Sequence, residues 1–219
     1  MNILVACECS QNVTAAFRAK GHRAFSCDIV PCRGGHPEWH IQGDVLPLLN
    51  GTCFFKTQDG LEHCQYYPWD MIIAFPPCTY LTKAGARWMY TKPGVVNPVR
   101  YKQMRAARDF FFSIMNANCS RIAIENPRPL RIAVLPPCSQ VIQPYQFGHP
   151  YSKLTCLWLK NLPLLRPTDV VDQFTPFLPS NTSRFSKGGG GSKGVCSHLA
   201  ADRSETFTGI AAAMAEQWG

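Results

Sequence analysis

Two short runs in this 219-residue chain carry side chains suited to covalent chemistry: Phe75-Pro76-Pro77-Cys78 and Glu125-Asn126-Pro127. Proline has a fixed φ and no amide hydrogen, so a Pro-Pro pair holds the backbone extended and prevents a helix from starting. A cysteine directly after such a pair is presented with little freedom, which suits a nucleophile whose rate depends on positioning. The ordinary alternative for a free cysteine is a small buried hydrophobe. Glu125 closes the apolar run Ile122-Ala123-Ile124. Burial at such a place raises a carboxyl pKa and favours proton sharing, although a strand-end acid can also serve only to bond a loop. A third run, Pro136-Pro137-Cys138, repeats the first ending.

These runs need a scaffold that brings strand ends together. Residues 3–6, 24–27, 71–75, 121–125 and 155–159 read as strands, each a short β-rich apolar stretch. A helix follows the first strand, with Val13, Ala16 and Phe17 on one face and Gly21 as its stop. Asn97-Pro98 opens a long helix, with a capping side chain before proline at the first helical position. Met104, Ala107, Phe111, Ile114 and Met115 form its apolar face. Residues 206–218 read as an Ala-rich final helix. Gly43-Asp44-Val45 follows an irregular stretch containing His36 and His40, which are expected in a surface loop. Residues 50–68 lack periodicity and are expected to be a surface insertion. Strands separated by helices predict an α/β fold with a mostly parallel sheet flanked by helices. Ligands in such sheets sit beyond the carboxyl ends of the strands, where Cys7, Asp28, Cys78 and Glu125 all fall.

Composition narrows the partners. Hydrophobic residues make up 46% and charged residues 16%, the balance of a globular chain. Against 14 acidic residues stand 22 basic ones, and the net charge of +8 favours a polyanion, nucleic acid ahead of membrane. The 11 cysteines are odd in number and contain no Cys-x-x-Cys, so free thiols in a cytoplasmic protein are expected, without a metal. The start, Met1-Asn2-Ile3-Leu4, lacks a basic leader, and its apolar run is too short to span a bilayer. Residues 183–194 form a basic Gly-rich loop in which Arg184, Lys187 and Lys193 could meet phosphates.

With these residues in view, the sequence resembles the DNA cytosine-C5 methyltransferase family, matching in order along nearly the whole chain. Residues 1–10 look like the first cofactor-binding motif, Asp28 like the acidic end of the second strand, and Gly43-Asp44-Val45 like the third motif. Phe75-Pro76-Pro77-Cys78 resembles the nucleophile motif and Glu125-Asn126 the Glu-Asn motif. Residues 147–159 resemble the segment leading into a late strand, and residues 206–214 the last helix. The resemblance implies a Rossmann-like fold using S-adenosylmethionine, with Cys78 adding to cytosine C6 and Glu125 protonating the ring. Asn126, Pro77 and Lys153 complete the implied catalytic set. It further implies a cofactor pocket of Ala6, Cys7, Glu8, Ser10, Asp28, Ile29, Asp44, Phe75, Pro76 and Thr206. The implied partner is DNA with a flipped cytosine, held by Thr79 and the basic loop. Cys138 follows the Glu-Asn run instead of preceding it, and is expected to be structural.

The chain departs from the family pattern in two motifs. Cys7-Glu8-Cys9-Ser10-Gln11 replaces a Gly-rich loop, and Tyr151, Lys153 and Thr155 stand where Gln-x-Arg-x-Arg is usual. Only about fifty residues separate Lys153 from the last helix, less than a separate recognition domain of typical scale. The expectation is a single catalytic domain over residues 1–219 of compact, phage-like type, with a reduced recognition region around 160–200. A partner chain could supply target recognition. Two other readings stay open: a degenerate methyltransferase frame that only binds nucleic acid, and C5 modification of a nucleotide or RNA cytosine. A zinc deaminase is disfavoured, because His36-Pro37-Glu38 and Pro77-Cys78 lack the second cysteine, Leu81 standing in its place.

Overall fold

The computed structural model describes residues 1–82, 88–178, 195–196 and 205–219. In chain order the first half contains β1 (Asn2–Ala6), α1 (Asn12–Ala19), β2 (Arg23–Asp28), β3 (His40–Gln42), β4 (Cys53–Lys56), β5 (Glu62–Gln65) and β6 (Met71–Ala74). Then follow β7 (Tyr90–Lys92), β8 (Val95–Val96), α2 (Pro98–Met115), β9 (Ile122–Pro127) and β10 (Gln140–Ile142). The chain ends with β11 (Tyr151–Ser152), β12 (Thr155–Lys160), β13 (Thr175–Leu178), β14 (Val195–Cys196) and a final helix, α3 (Thr208–Trp218).

Seven strands form one sheet in the order β10-β12-β9-β6-β1-β2-β3. From β9 to β3 every pairing is parallel, and β12 and β10 add an antiparallel edge. Alternation along the strands distributes the apolar side chains to two faces. Ile3, Val5, Met71, Ile73 and Ala123 pack with Val13 and Phe17 of α1 and with Ile210, Met214 and Trp218 of α3. Leu4, Ala6, Ile72, Ala74 and Ile124 pack with Met104, Phe111 and Ile114 of α2. The result is the expected Rossmann-like layering, a mostly parallel sheet with helices on both faces.

Two local devices fix the helices. Asn97 caps α2 by accepting from Val99 N at 3.1 Å and Arg100 N at 3.2 Å, with Pro98 at the first helical position. Asn97→Ala is therefore expected to destabilise the chain by about 1 kcal/mol, read as a lower urea midpoint at unchanged slope. Gly209 lets α3 approach the chain closely, since a Cβ there would lie 1.9 Å from Phe147 O. The Gly209 amide donates to His149 Nε2 at 3.0 Å.

One expectation is refined and one corrected. The surface insertion at 50–68 is formed by the β4–β5 hairpin, which packs Phe55 against Trp69. Its turn holds Asp59-Gly60, with Gly60 at φ 95°, a hairpin signal that the absence of periodicity had obscured. His40 is not in a surface loop. It is fully buried in β3, bonded to Ser26 Oγ at 2.9 Å and Val30 O at 3.0 Å.

Candidate active site

In this sheet β1 is the switch point: β2 and β3 extend to one side of it, β6 and β9 to the other. Ligands of open α/β sheets bind beyond the carboxyl ends of strands at such a point. A cleft of about 1370 Å³ lies there.

Its floor is the loop after β1. Cys7 and Gln11 bound this loop with φ of 59° and 61°, left-handed values that glycine adopts more easily. Two non-glycine residues thus make the turns expected of a Gly-rich loop, at a cost of roughly 1–2 kcal/mol each. Gln11 is held by bonds from its Nε2 to Ser26 Oγ at 3.2 Å and His36 O at 2.9 Å. Cys7 and Ser10 line the cleft, whereas Ala6 is wholly buried in β1. Glu8 borders the cleft but turns its carboxylate inward. Its oxygens accept from Val13 N at 2.7 Å, Thr14 N at 3.2 Å and Thr14 Oγ1 at 2.6 Å, which satisfies the start of α1.

Two acids stand on one wall. Asp28 ends β2, and its Oδ1 accepts from Val30 N at 3.1 Å. Asp44 follows β3 and accepts from Leu46 N through Oδ1 at 3.0 Å. Each of these contacts uses one carboxylate oxygen, and both residues line the cleft. Ile29 lies beside Asp28 with 75% of its surface exposed, and Phe75 borders the same space. Thr206 does so as well, its carbonyl held by Asn12 Nδ2 at 2.8 Å.

The two chemical runs meet at the ends of neighbouring parallel strands. Asn126 is 1% exposed and donates from Nδ2 to Pro76 O at 2.7 Å, while its Oδ1 has no hydrogen-bond partner among the described residues. The Cys78 carbonyl accepts from Leu81 N, Thr82 N and Thr82 Oγ1, each at 3.1 Å, so the backbone folds into a tight turn. That turn is fastened to the chain beyond β9 by Leu130 N to Leu81 O at 2.7 Å and by an antiparallel bridge between Thr82 and Pro129. Pro77, Cys78 and Thr79 line the cleft, and Pro76 is buried behind them.

Antiparallel β12 and the residues just before it then bring a hydroxyl and a cation to this end of the sheet. Leu157 opposes Glu125 and Thr155 opposes Pro127, so Thr155 lies diagonally across from Glu125 on the same face. The Thr155 hydroxyl donates to Lys153 O at 3.0 Å, and both Thr155 and Lys153 lie close enough to Glu125 to act on its carboxyl. Glu125 is set back from the residues that line the cleft. Burial raises its pKa first, with Lys153 and Thr155 opposing. Cys78 is raised by burial and then by Glu125, and is lowered by Lys153. The resting site therefore favours the thiol and not the thiolate, because desolvation outweighs the single cation. The coupling nonetheless selects a state: a negative sulfur is easiest to form when Glu125 carries a proton.

Cys7, another of the thiols that line the cleft, differs. Burial together with Asp28, Cys27 and Asp44 pushes its pKa far up. Lys153→Met is expected to raise the Cys78 pKa further and slow its iodoacetamide alkylation several-fold at pH about 8. Peptide-resolved mass spectrometry checks this, with Cys7 as the unaffected reference. Cys138 lies outside the cleft and packs against Cys156, whose pKa burial and Cys138 raise to about 12.

Sequence reading missed the opposite wall, formed by Tyr80, Trp88, Arg100, Gln103, Ala107 and Phe110. Periodicity marks the buried stripe of α2 but does not tell which neighbouring positions face a cavity. Arg184, Lys187 and Lys193 lie outside the described residues. Among the described residues no group of three or more His, Cys, Asp or Glu could hold a metal, and no helix is long and apolar enough to cross a membrane.

Fold and site together define a Rossmann-like α/β chain in which the acids Asp28 and Asp44 and the cysteine Cys78 line one cleft. No protein-family model matches the chain, and no curated protein matches it. Among solved structures it is similar to a DNA modification methyltransferase encoded within an E. coli prophage, with a TM-score of 0.43 and 14% identity. That match covers 78% of this chain and 52% of the other. It is also similar to a Spodoptera frugiperda DNMT2 triple mutant, with a TM-score of 0.37 and 15% identity, covering 81% of this chain and 55% of the other. The chain thus spans about half the length of each solved chain.

Proposed function

We propose that this chain transfers a methyl group from S-adenosylmethionine to C5 of cytosine in DNA, through a covalent bond between Cys78 and C6. The supporting observation is the fastening of the Pro-Pro-Cys turn to the Glu125 strand end, which puts a thiol beside a cleft and couples it to a carboxyl and a lysine.

The residues present fit the cofactor. Asp28 would accept from the ribose hydroxyls and Asp44 from the adenine amino group, while Ile29 and Phe75 offer apolar surface and Cys7 and Ser10 a small-residue floor. When bound, S-adenosylmethionine supplies an electrophilic methyl group. Cytosine C5 is too electron-poor to accept it unaided. The Cys78 thiolate forms a bond to C6, and the displaced ring electrons make C5 nucleophilic while Glu125 shares its proton at N3. After C5 is methylated, a base removes the C5 hydrogen, the S–C6 bond breaks and the thiolate is restored. Lys153 compensates the one negative charge that moves between sulfur and carboxyl. A cytosine within a duplex must be extruded to reach this site, at a cost of a few kcal/mol.

The test is product identity. DNA incubated with the chain and cofactor, digested to nucleosides and resolved by mass spectrometry, should contain 5-methylcytosine. Methylation at N4, or no methylated base at all, contradicts the proposal.

A further inference from the structure

The outer rim of the cleft carries groups that the chemistry above leaves unused. β7 and β8 pair as a two-stranded ribbon leading directly into α2. Asn97 N donates to Met89 O at 2.8 Å, so the base of the ribbon lies against the first turn of the helix. Around this junction Trp88 is 56% exposed, Tyr90 46% and Tyr101 37%. Exposed aromatic surface of this extent is costly to hydrate and marks the junction as a candidate binding surface.

Cations are interleaved with them. Along α2 stand Arg100, Lys102, Arg105 and Arg108 against a single acid, Asp109. Arg100 is engaged, donating to Thr79 O at 2.6 Å and lying 4.2 Å from the Tyr80 ring centre, just beyond the Cys78 turn. Lys102 and Arg105 are exposed on the helix, and Lys92 is exposed on the ribbon. Trp88 and Arg100 also line the cleft and so join it to this surface, while Tyr101 and Arg105 lie on the outer side of α2.

Cations alone would meet the phosphates of any nucleic acid. Aromatic faces gain little from a duplex, whose bases are already stacked, but they offer platforms to unpaired bases. A protein-binding patch of this size would carry few lysines. We propose that this rim binds single-stranded DNA flanking the target base, stacking bases on Trp88, Tyr90 and Tyr101 and pairing phosphates with Lys92, Lys102 and Arg105. The proposal rests on the functional reading above for DNA as the substrate, and adds its strand state.

Fluorescence anisotropy with the full chain, without cofactor, tests it. The probes are a labelled strand of about twelve nucleotides, its duplex and the RNA of the same sequence. The single DNA strand is expected to bind at least about tenfold more tightly than the duplex or the RNA. Trp88→Ala and Tyr101→Ala should each weaken single-strand binding by about tenfold and leave duplex binding nearly unchanged, whereas Trp88→Phe, which keeps a ring face, should retain affinity. Lys102→Ala with Arg105→Ala should weaken both DNA forms alike and flatten the dependence on salt. Duplex or RNA binding as tight as the single strand overturns the proposal. So does a single-strand affinity indifferent to both aromatic truncations, the result expected if the patch docks a protein. Thermal unfolding of each variant separates lost contacts from lost folding. Because binding needs neither thiol nor cofactor, it can succeed where the methylation chemistry fails. Conversely, covalent capture of duplex as readily as single strand removes the strand assignment and leaves the Cys78 reading standing.

Discussion

Replacing Cys78 with alanine is expected to lower methyl transfer to DNA by on the order of 10⁴-fold or more. The size of the effect follows from the role. Without the sulfur there is no C6 adduct, and C5 never becomes nucleophilic. The same substitution should leave S-adenosylmethionine affinity within about twofold, since Cys78 is not among the residues proposed to hold the cofactor, at the ends of β1, β2 and β3 and at Phe75. It should also fold normally, because Cys78 makes its turn through the backbone carbonyl and not through its side chain. Cys138→Ala is the matched control, a second cysteine after two prolines that lies outside the cleft. Single-turnover rates for the two variants check the assignment. Loss shared equally by both would mean that the cysteines matter for folding.

The second large effect concerns Glu125. Glu125→Gln is expected to reduce turnover by about 10²–10⁴-fold, the usual range for removal of a positioned proton donor. Cofactor affinity should stay near wild type. A separate consequence distinguishes this residue from a structural acid. Glu125 raises the Cys78 pKa, so its neutralisation should lower that pKa and speed alkylation of Cys78 at a given pH, even as turnover collapses. The pH profile of the wild type follows from the same coupling. Turnover needs sulfur deprotonated and carboxyl protonated. It rises at low pH as the sulfur begins to ionise and falls at high pH where both groups have lost their protons, so the optimum lies between the two raised pKa values. The two groups titrate as a pair, so the limbs of the profile belong to both. In Glu125→Gln the falling limb should disappear.

Much of this site was legible in the sequence, because strand ends are marked by simple signals. Asp28, Cys78 and Glu125 each follow an apolar run, and the long helix announces itself through Asn97-Pro98. Asp44 was harder to place: β3 is only three residues long, too short for a period to show. The β4–β5 hairpin was missed for a similar reason, and its Asp-Gly turn was the usable signal. The antiparallel edge was not readable, although it determines the electrostatics. Only the register of β12 against β9 reveals that Thr155 reaches Glu125, with Lys153 just before it. Nor could spacing show that Glu8 would turn inward to cap α1, or that the face of α2 bearing Gln103 and Phe110 would wall a cleft. Those outcomes depend on packing between elements distant in the chain.

The most direct measurement is covalent capture with site mapping. The chain is incubated with S-adenosylmethionine and DNA carrying 5-fluorocytosine, whose fluorine cannot leave as a proton does, so the adduct persists. After proteolysis, mass spectrometry should find the modified base on the peptide that contains Cys78 and on no other cysteine, with the methyl group already on the ring. A base attached to Cys7 or Cys138, or complete turnover with no attachment to any sulfur, would contradict the account.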